Sequence, residues 1–127
     1  MPATAFKTGT KPTIKILYGE SDENVLASHA AEFKKAGHHV TTAVDRHGIQ
    51  NELRRDAFDL VILGPTMSKD DRHHLPYMVK KAHAGTKVLV MHAGTHHHEV
   101  DVAVDSEIGM GLLLEKIAAL LQPVGAV

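Results

Sequence analysis

The chain has 127 residues, with 43% hydrophobic and 23% charged side chains and a formal charge of −1 at neutral pH. That length suits one domain with its own core, the balanced charge leaves no electrostatic footprint for nucleic acid, and no apolar run approaches a membrane span. The N-terminus lacks a signal-peptide core, and a chain without cysteine has no disulfides, thiolate metal sites or cysteine catalysis. A cytoplasmic protein is expected. Histidine is in excess: there are 11, against 3 Phe, 2 Tyr and no Trp, and protonating all of them would carry the charge from −1 to +10. Imidazole titrates near pH ~6.5, so mild acid should change this surface sharply.

Residues 1–13 are small, polar and non-periodic, and read as a flexible lead-in. Ile14 to Tyr18 is apolar and β-rich, the first expected strand, followed by a turn at Gly19 to Asp22. Ser21 or Asp22 can cap a helix that runs to about Ala36 and stops at Gly37, with Leu26, Ala30 and Phe33 on one face. His39 to Ala43 is the second strand, and a helix from about Arg46 to Asp56 carries Ile49 and Leu53 at i, i+4 spacing. Asp59 to Leu63 is the third strand. Its continuous apolar run suits burial on both faces, as in a parallel sheet.

Ser68 to Asp71 opens a third helix with the apolar stripe Leu75, Met78, Val79 and Ala82. Pro76 is expected early in that helix, or at its start. Lys87 to Met91 and Val100 to Val104 are the fourth and fifth strands. A last helix spans about Gly111 to Leu121, with Leu113, Ile117, Leu120 and Leu121 inward, and 123–127 form a tail. Strand–helix alternation of this kind implies a doubly wound α/β domain over 14–122.

Several stretches share an order and spacing: Lys15-Ile16-Leu17 with Glu20, Ala36-Gly37-His38-His39-Val40-Thr41-Thr42-Ala43, Phe58 to Leu63, Lys87 to Met91, and Leu113 to Leu121. Together they resemble the receiver domains of CheY-like response regulators, across nearly the whole chain. The resemblance implies a flavodoxin-like five-stranded parallel sheet of order 2-1-3-4-5 and a role in bacterial two-component signalling or a phosphorelay. In that family an acidic pair after strand one holds Mg²⁺, and a strand-three aspartate accepts the phosphoryl group. A hydroxyl after strand four and a lysine after strand five neutralise its oxygens.

This chain departs from the pattern at those positions. Glu20 fits the first acidic residue, but Ser21 follows it; the acceptor position is Gly64, the hydroxyl position His92, and Ser106-Glu107 stand for the lysine–proline pair. Glu20, Ser21, Gly64, His92 and Ser106 thus outline a degenerate acceptor pocket, without catalytic residues and with weak expected Mg²⁺ affinity. Asp22, Asp70 and Asp71 lie near in sequence, but none ends a strand. Between Met91 and Val100 only eight residues remain, so the fourth helix should be shortened or absent. The chain also ends soon after its last helix, and a stand-alone pseudo-receiver is expected. It would not be an enzyme and would act through a histidine kinase, an output protein or another regulator, without nucleic acid or membrane. A homodimer is left open.

His92, His96, His97 and His98 define a second reading, with His92, His96 and His98 as the candidate ligands: with Glu20 they would meet at the C-terminal edge of the sheet, where doubly wound folds place ligands. Such residues suit Zn²⁺ or Ni²⁺, in a metal- or pH-responsive module. Asp45-Arg46-His47-Gly48 resembles a cobalamin-binding loop, but Gln50 replaces its glycine and the segment follows the second strand, so a helix cap is expected. A third reading is a flavodoxin-like domain whose emptied pocket takes another anion.

Overall fold

The computed structural model describes residues 13–95 and 97–121. The expected lead-in up to residue 12, His96 and the 123–127 tail lie outside the described residues. The elements run β1 (Lys15–Glu20), α1 (Glu23–Lys35), β2 (His39–Val44), α2 (Asp45–Arg55), β3 (Leu60–Leu63), α3 (Lys69–Ala82), β4 (Lys87–Val90), β5 (Val102–Ala103) and α4 (Met110–Leu120). The strands form one parallel sheet of order β2-β1-β3-β4-β5. This is the expected doubly wound topology.

Alternation along each strand sorts side chains between the two faces. Ile16, Tyr18, Leu60, Ile62, Leu89 and Met91 pack with Leu26, Ala30 and Phe33 of α1 and Leu113 and Ile117 of α4. Leu17, Val61, Leu63, Val88 and Val90 pack on the other face with Ile49 and Leu53 of α2 and Leu75 and Val79 of α3. Full burial of each such aliphatic side chain contributes about 1.5–3 kcal/mol.

Local signals set the helix ends. Asp22 caps α1 through Oδ1, which accepts from the N–H groups of Asn24 (2.8 Å) and Val25 (3.2 Å). At the other end Gly37 takes φ +100°, while its N–H bonds Lys34 O and that of His38 bonds Phe33 O. That is a Schellman ending, which needs the left-handed residue glycine supplies. Ser68 caps α3 by accepting from Asp71 N–H at 3.1 Å.

Three local expectations are corrected. Pro76 lies in the middle of α3. A proline there forgoes a backbone hydrogen bond at about 3 kcal/mol, and burial of Leu75, Pro76 and Val79 offsets it. Ala82, the last residue of the same helix, is exposed and leaves the stripe. Asp45 does not cap α2; it is the first helical residue, with a φ of 59°, and the N-cap Val44 makes no side-chain bond. Aspartate tolerates that left-handed backbone better than most residues.

Between β4 and β5 the described residues contain no helix, as the short spacing predicts. Two turns stand in its place, closed by Thr95 N–H to His92 O (3.1 Å) and Val100 N–H to His97 O (2.9 Å). β5 pairs with β4 over only two residues. Asp101 extends that edge: its N–H donates to Val88 O (2.9 Å), and its Oδ2 accepts from Val88 N–H (2.7 Å) and Lys80 Nζ (2.8 Å).

Candidate functional site

The register of β1 against β3 sets Gly19 opposite Leu63, so Glu20 and Gly64 continue side by side at the C-terminal edge. Glu20 shares a face with Tyr18 and Ile16, the face covered by α1. Its side chain is fully buried and lies across the bare backbone of Gly64. A Cβ built on Gly64 would collide with the Glu20 carboxyl carbon and both of its oxygens. The space an acceptor side chain would enter is therefore filled by the neighbouring strand's carboxylate.

Every partner of that carboxylate is a hydrogen-bond donor. Oε1 accepts from Thr66 N–H (3.0 Å) and from the Thr66 hydroxyl (2.6 Å). Oε2 accepts from the Tyr18 hydroxyl. Thr66 Oγ1 in turn accepts from the N–H groups of Ser21 and Asp22, each at 3.0 Å, so the loops after β1 and β3 are tied through one threonine. The Tyr18 oxygen also lies 2.7 Å from His29 Nδ1. With the phenol proton directed at Glu20, His29 must carry its proton on Nδ1 and donate to Tyr18. His29 Nδ1 is 3.9 Å from Glu20 Oε2.

Burial first, then the hydrogen bond to Glu20 and its charge, push the Tyr18 phenol far above its ordinary range, so it remains a donor. The Tyr18 ring is held edge-on to Phe33, with centroids 5.2 Å apart.

The side chains of the other residues of the outlined pocket lie outside this network. Ser21 contributes its backbone N–H. His92 is exposed after β4, its Nδ1 3.5 Å from the Thr95 hydroxyl. Ser106 is exposed in a turn organised by Asp105, whose Oδ1 accepts from Glu107 N–H at 2.8 Å. The remaining nearby carboxylates have other duties: Asp22 caps α1, and Asp71 accepts from Arg46 Nε at 2.8 Å. Tyr18, His29 and Thr66 were missed by sequence reasoning. The two-residue spacing of Tyr18 and Glu20 on one strand face is the signal that could have joined them.

The histidines divide differently from the sequence reading. His97 is drawn to His73 of α3, Nε2 to Nδ1, at 3.0 Å. His98 lies beside Glu99 at 3.7 Å with 94% of its side chain exposed. Among the described residues no group of three or more His, Asp or Glu side chains converges as a metal cage, and His96 lies outside them. A cavity of about 500 Å³ opens between α3 and this loop, lined by Tyr77, Lys80, Lys81, Ala84, His98 and Glu99. Among the described residues no helix is long and apolar enough to cross a membrane.

No known family profile matches the sequence, and no curated protein matches it. Solved structures do. A two-component response regulator from Clostridium difficile superposes with a TM-score of 0.76 at 15% identity, covering 91% of this chain and 100% of that one. The chemotaxis response regulator CheY4 of Vibrio cholerae gives 0.75 at 17% identity, covering 87% and 100%. The response regulator TrrA from Thermotoga maritima, solved in complex with Mg²⁺ and BeF, gives 0.73 at 20% identity, covering 84% and 97%. Sheet order, helix placement and these superpositions agree: the chain has the CheY-like, flavodoxin-like fold of response-regulator receiver domains.

Proposed function

We propose that this chain is a degenerate receiver, a signalling module of the two-component type that acts by protein–protein contact and is not phosphorylated at the strand-three position. One observation carries the reading: the Glu20 carboxylate fills the space over Gly64 where an acceptor side chain would stand. The donor set beside it does not fit Mg²⁺, which demands octahedral oxygen coordination. Glu20 is buried with both oxygens engaged, Ser21 replaces the second acid, and Asp22 is committed to capping α1. The cross-tie through Thr66 favours one arrangement of the loops after β1 and β3. Such a module presents one surface to a kinase, an output protein or another regulator, and is not an enzyme.

The test is incubation with acetyl phosphate, or with beryllofluoride, in the presence of Mg²⁺, read by intact mass and by amide chemical shifts. The expected result is no added mass and no saturable shift at Glu20, Gly64 or Thr66. Covalent addition at any aspartate, or a saturable shift in that pocket, would overturn the reading. A second reading, a metal- or pH-responsive module using the 92–98 loop, draws support from the contact of His97 with His73.

A further inference from the structure

Where receiver folds carry a helix between the fourth and fifth strands, this chain carries a loop, and the loop is pinned on both sides of His97. Thr95 is buried before it, and Val100 packs on the α2–α3 core after it. His97 is itself half-buried, and it meets His73 of α3 with the rings 78° apart and their centroids 4.5 Å apart. The nitrogens that face each other, His97 Nε2 and His73 Nδ1, are 3.0 Å apart.

A contact of that length between two neutral imidazoles shares one proton. One nitrogen donates it and the other accepts with its lone pair. Moving that proton to the donor ring's other nitrogen leaves a lone pair on each of the two facing nitrogens. Tetrahedral Zn²⁺ with Zn–N bonds of 2.0–2.1 Å sets its donor nitrogens about 3.3 Å apart. The nitrogens are thus within a few tenths of an ångström of chelate spacing, and the rings need to tilt so that both lone pairs meet an ion off the line between them. His73 is exposed, so its ring has room to turn and water can complete the coordination.

We propose that His73 and His97 form a two-imidazole site for a borderline divalent cation of the Zn²⁺, Ni²⁺ or Cu²⁺ class. The remaining positions are open to water or to a carboxylate of a docked partner, since no third protein ligand converges there among the described residues. A bound ion would clamp the loop to α3 beside the cavity lined by Tyr77, Lys80 and Lys81. The site sharpens the second reading of function and replaces its ligands; it does not depend on the degenerate-receiver reading.

The surrounding charges set when the site is available. Desolvation, the His97 ring and the cations of Lys69 and Arg72 hold His73 below the ordinary imidazole range, while Asp70 pulls it upward. A neutral ring is the ligand form. Lys69 and Arg72 also oppose an incoming cation, which Asp70 on α3 partly offsets. Binding should weaken as acid protonates the ligand rings.

Calorimetry of the untagged full chain with Zn²⁺ alone, and separately Ni²⁺ alone, at about pH 7.5 tests this. One saturable ion per chain is expected, weakened about tenfold or more by either His73→Gln or His97→Gln. His92→Ala and His98→Ala should leave it unchanged, and Mg²⁺ should not compete, because imidazole does not suit it. His73 lies on an exposed helix face, and unchanged far-ultraviolet dichroism of each variant separates lost ligation from lost fold. Three outcomes overturn the proposal: no saturable binding, binding indifferent to His73→Gln, or binding lost equally with His92→Ala or His98→Ala. None of them bears on the acetyl phosphate experiment.

Discussion

The two halves of the sheet are built on different principles. Around β1 and β3 the strands are held by register: Ile16 to Gly19 run against Leu60 to Leu63, and fully buried aliphatics cover both faces. Around β4 and β5 register nearly runs out, with two paired residues at the edge. Polar contacts take over there, through the Asp101 carboxylate, two closed turns and a pair of imidazoles. In the first half a missing side chain at Gly64 is filled by Glu20. In the second a missing helix is bridged by loop hydrogen bonds. The first half should therefore be intolerant of added volume, and the second sensitive to loss of its polar contacts.

The largest effect should come from putting an aspartate back. Gly64→Asp forces a second carboxylate onto the buried Glu20 side chain, and both crowding and like charge oppose it. A loss of at least about 3 kcal/mol in urea unfolding is expected. Tyr18→Phe should cost about 1–2 kcal/mol, because the buried carboxylate loses a donor and His29 loses its partner. In the other half, Asp101→Ala removes the acceptor of Val88 N–H and Lys80 Nζ. About 1–2 kcal/mol is expected, with faster amide exchange at β5 than at β1.

The smallest effect probes the second half by pH. His73 is held below the ordinary imidazole value when folded, so the unfolded chain binds more protons in the window between the two values. Its contribution to stability is complete above about pH 6.5 and is lost as pH falls through the lower folded value. Urea midpoints followed across that window should fall less steeply for His73→Gln than for the parent. Equal slopes would remove His73 from the account.

Much of the fold was readable because each signal was local. Leu60 to Leu63 announces a buried strand, Gly37 a helix end, and the eight residues between Met91 and Val100 leave no length for a helix. The closed pocket was legible only in part. Gly64 could be read as side-chain-free, but its filling by Glu20 depends on strand register and on Thr66, a partner 46 residues away. No spacing rule announces such a contact. Pro76 misled for a related reason: its local preference is for a helix start, and the core packing of Leu75 and Val79 overrode it. The histidine loop was recognised as unusual, yet the partner of His97 is on another element.

The central claim is that the Glu20 carboxylate occupies the volume above Gly64, and a double-mutant cycle over Gly64→Asp and Glu20→Ala tests it most directly. Emptying position 20 should make room, so the double variant is expected to be more stable than Gly64→Asp alone. The coupling between the two changes should be at least about 2 kcal/mol. Additive effects would mean that the two positions do not share that space, and would contradict the account.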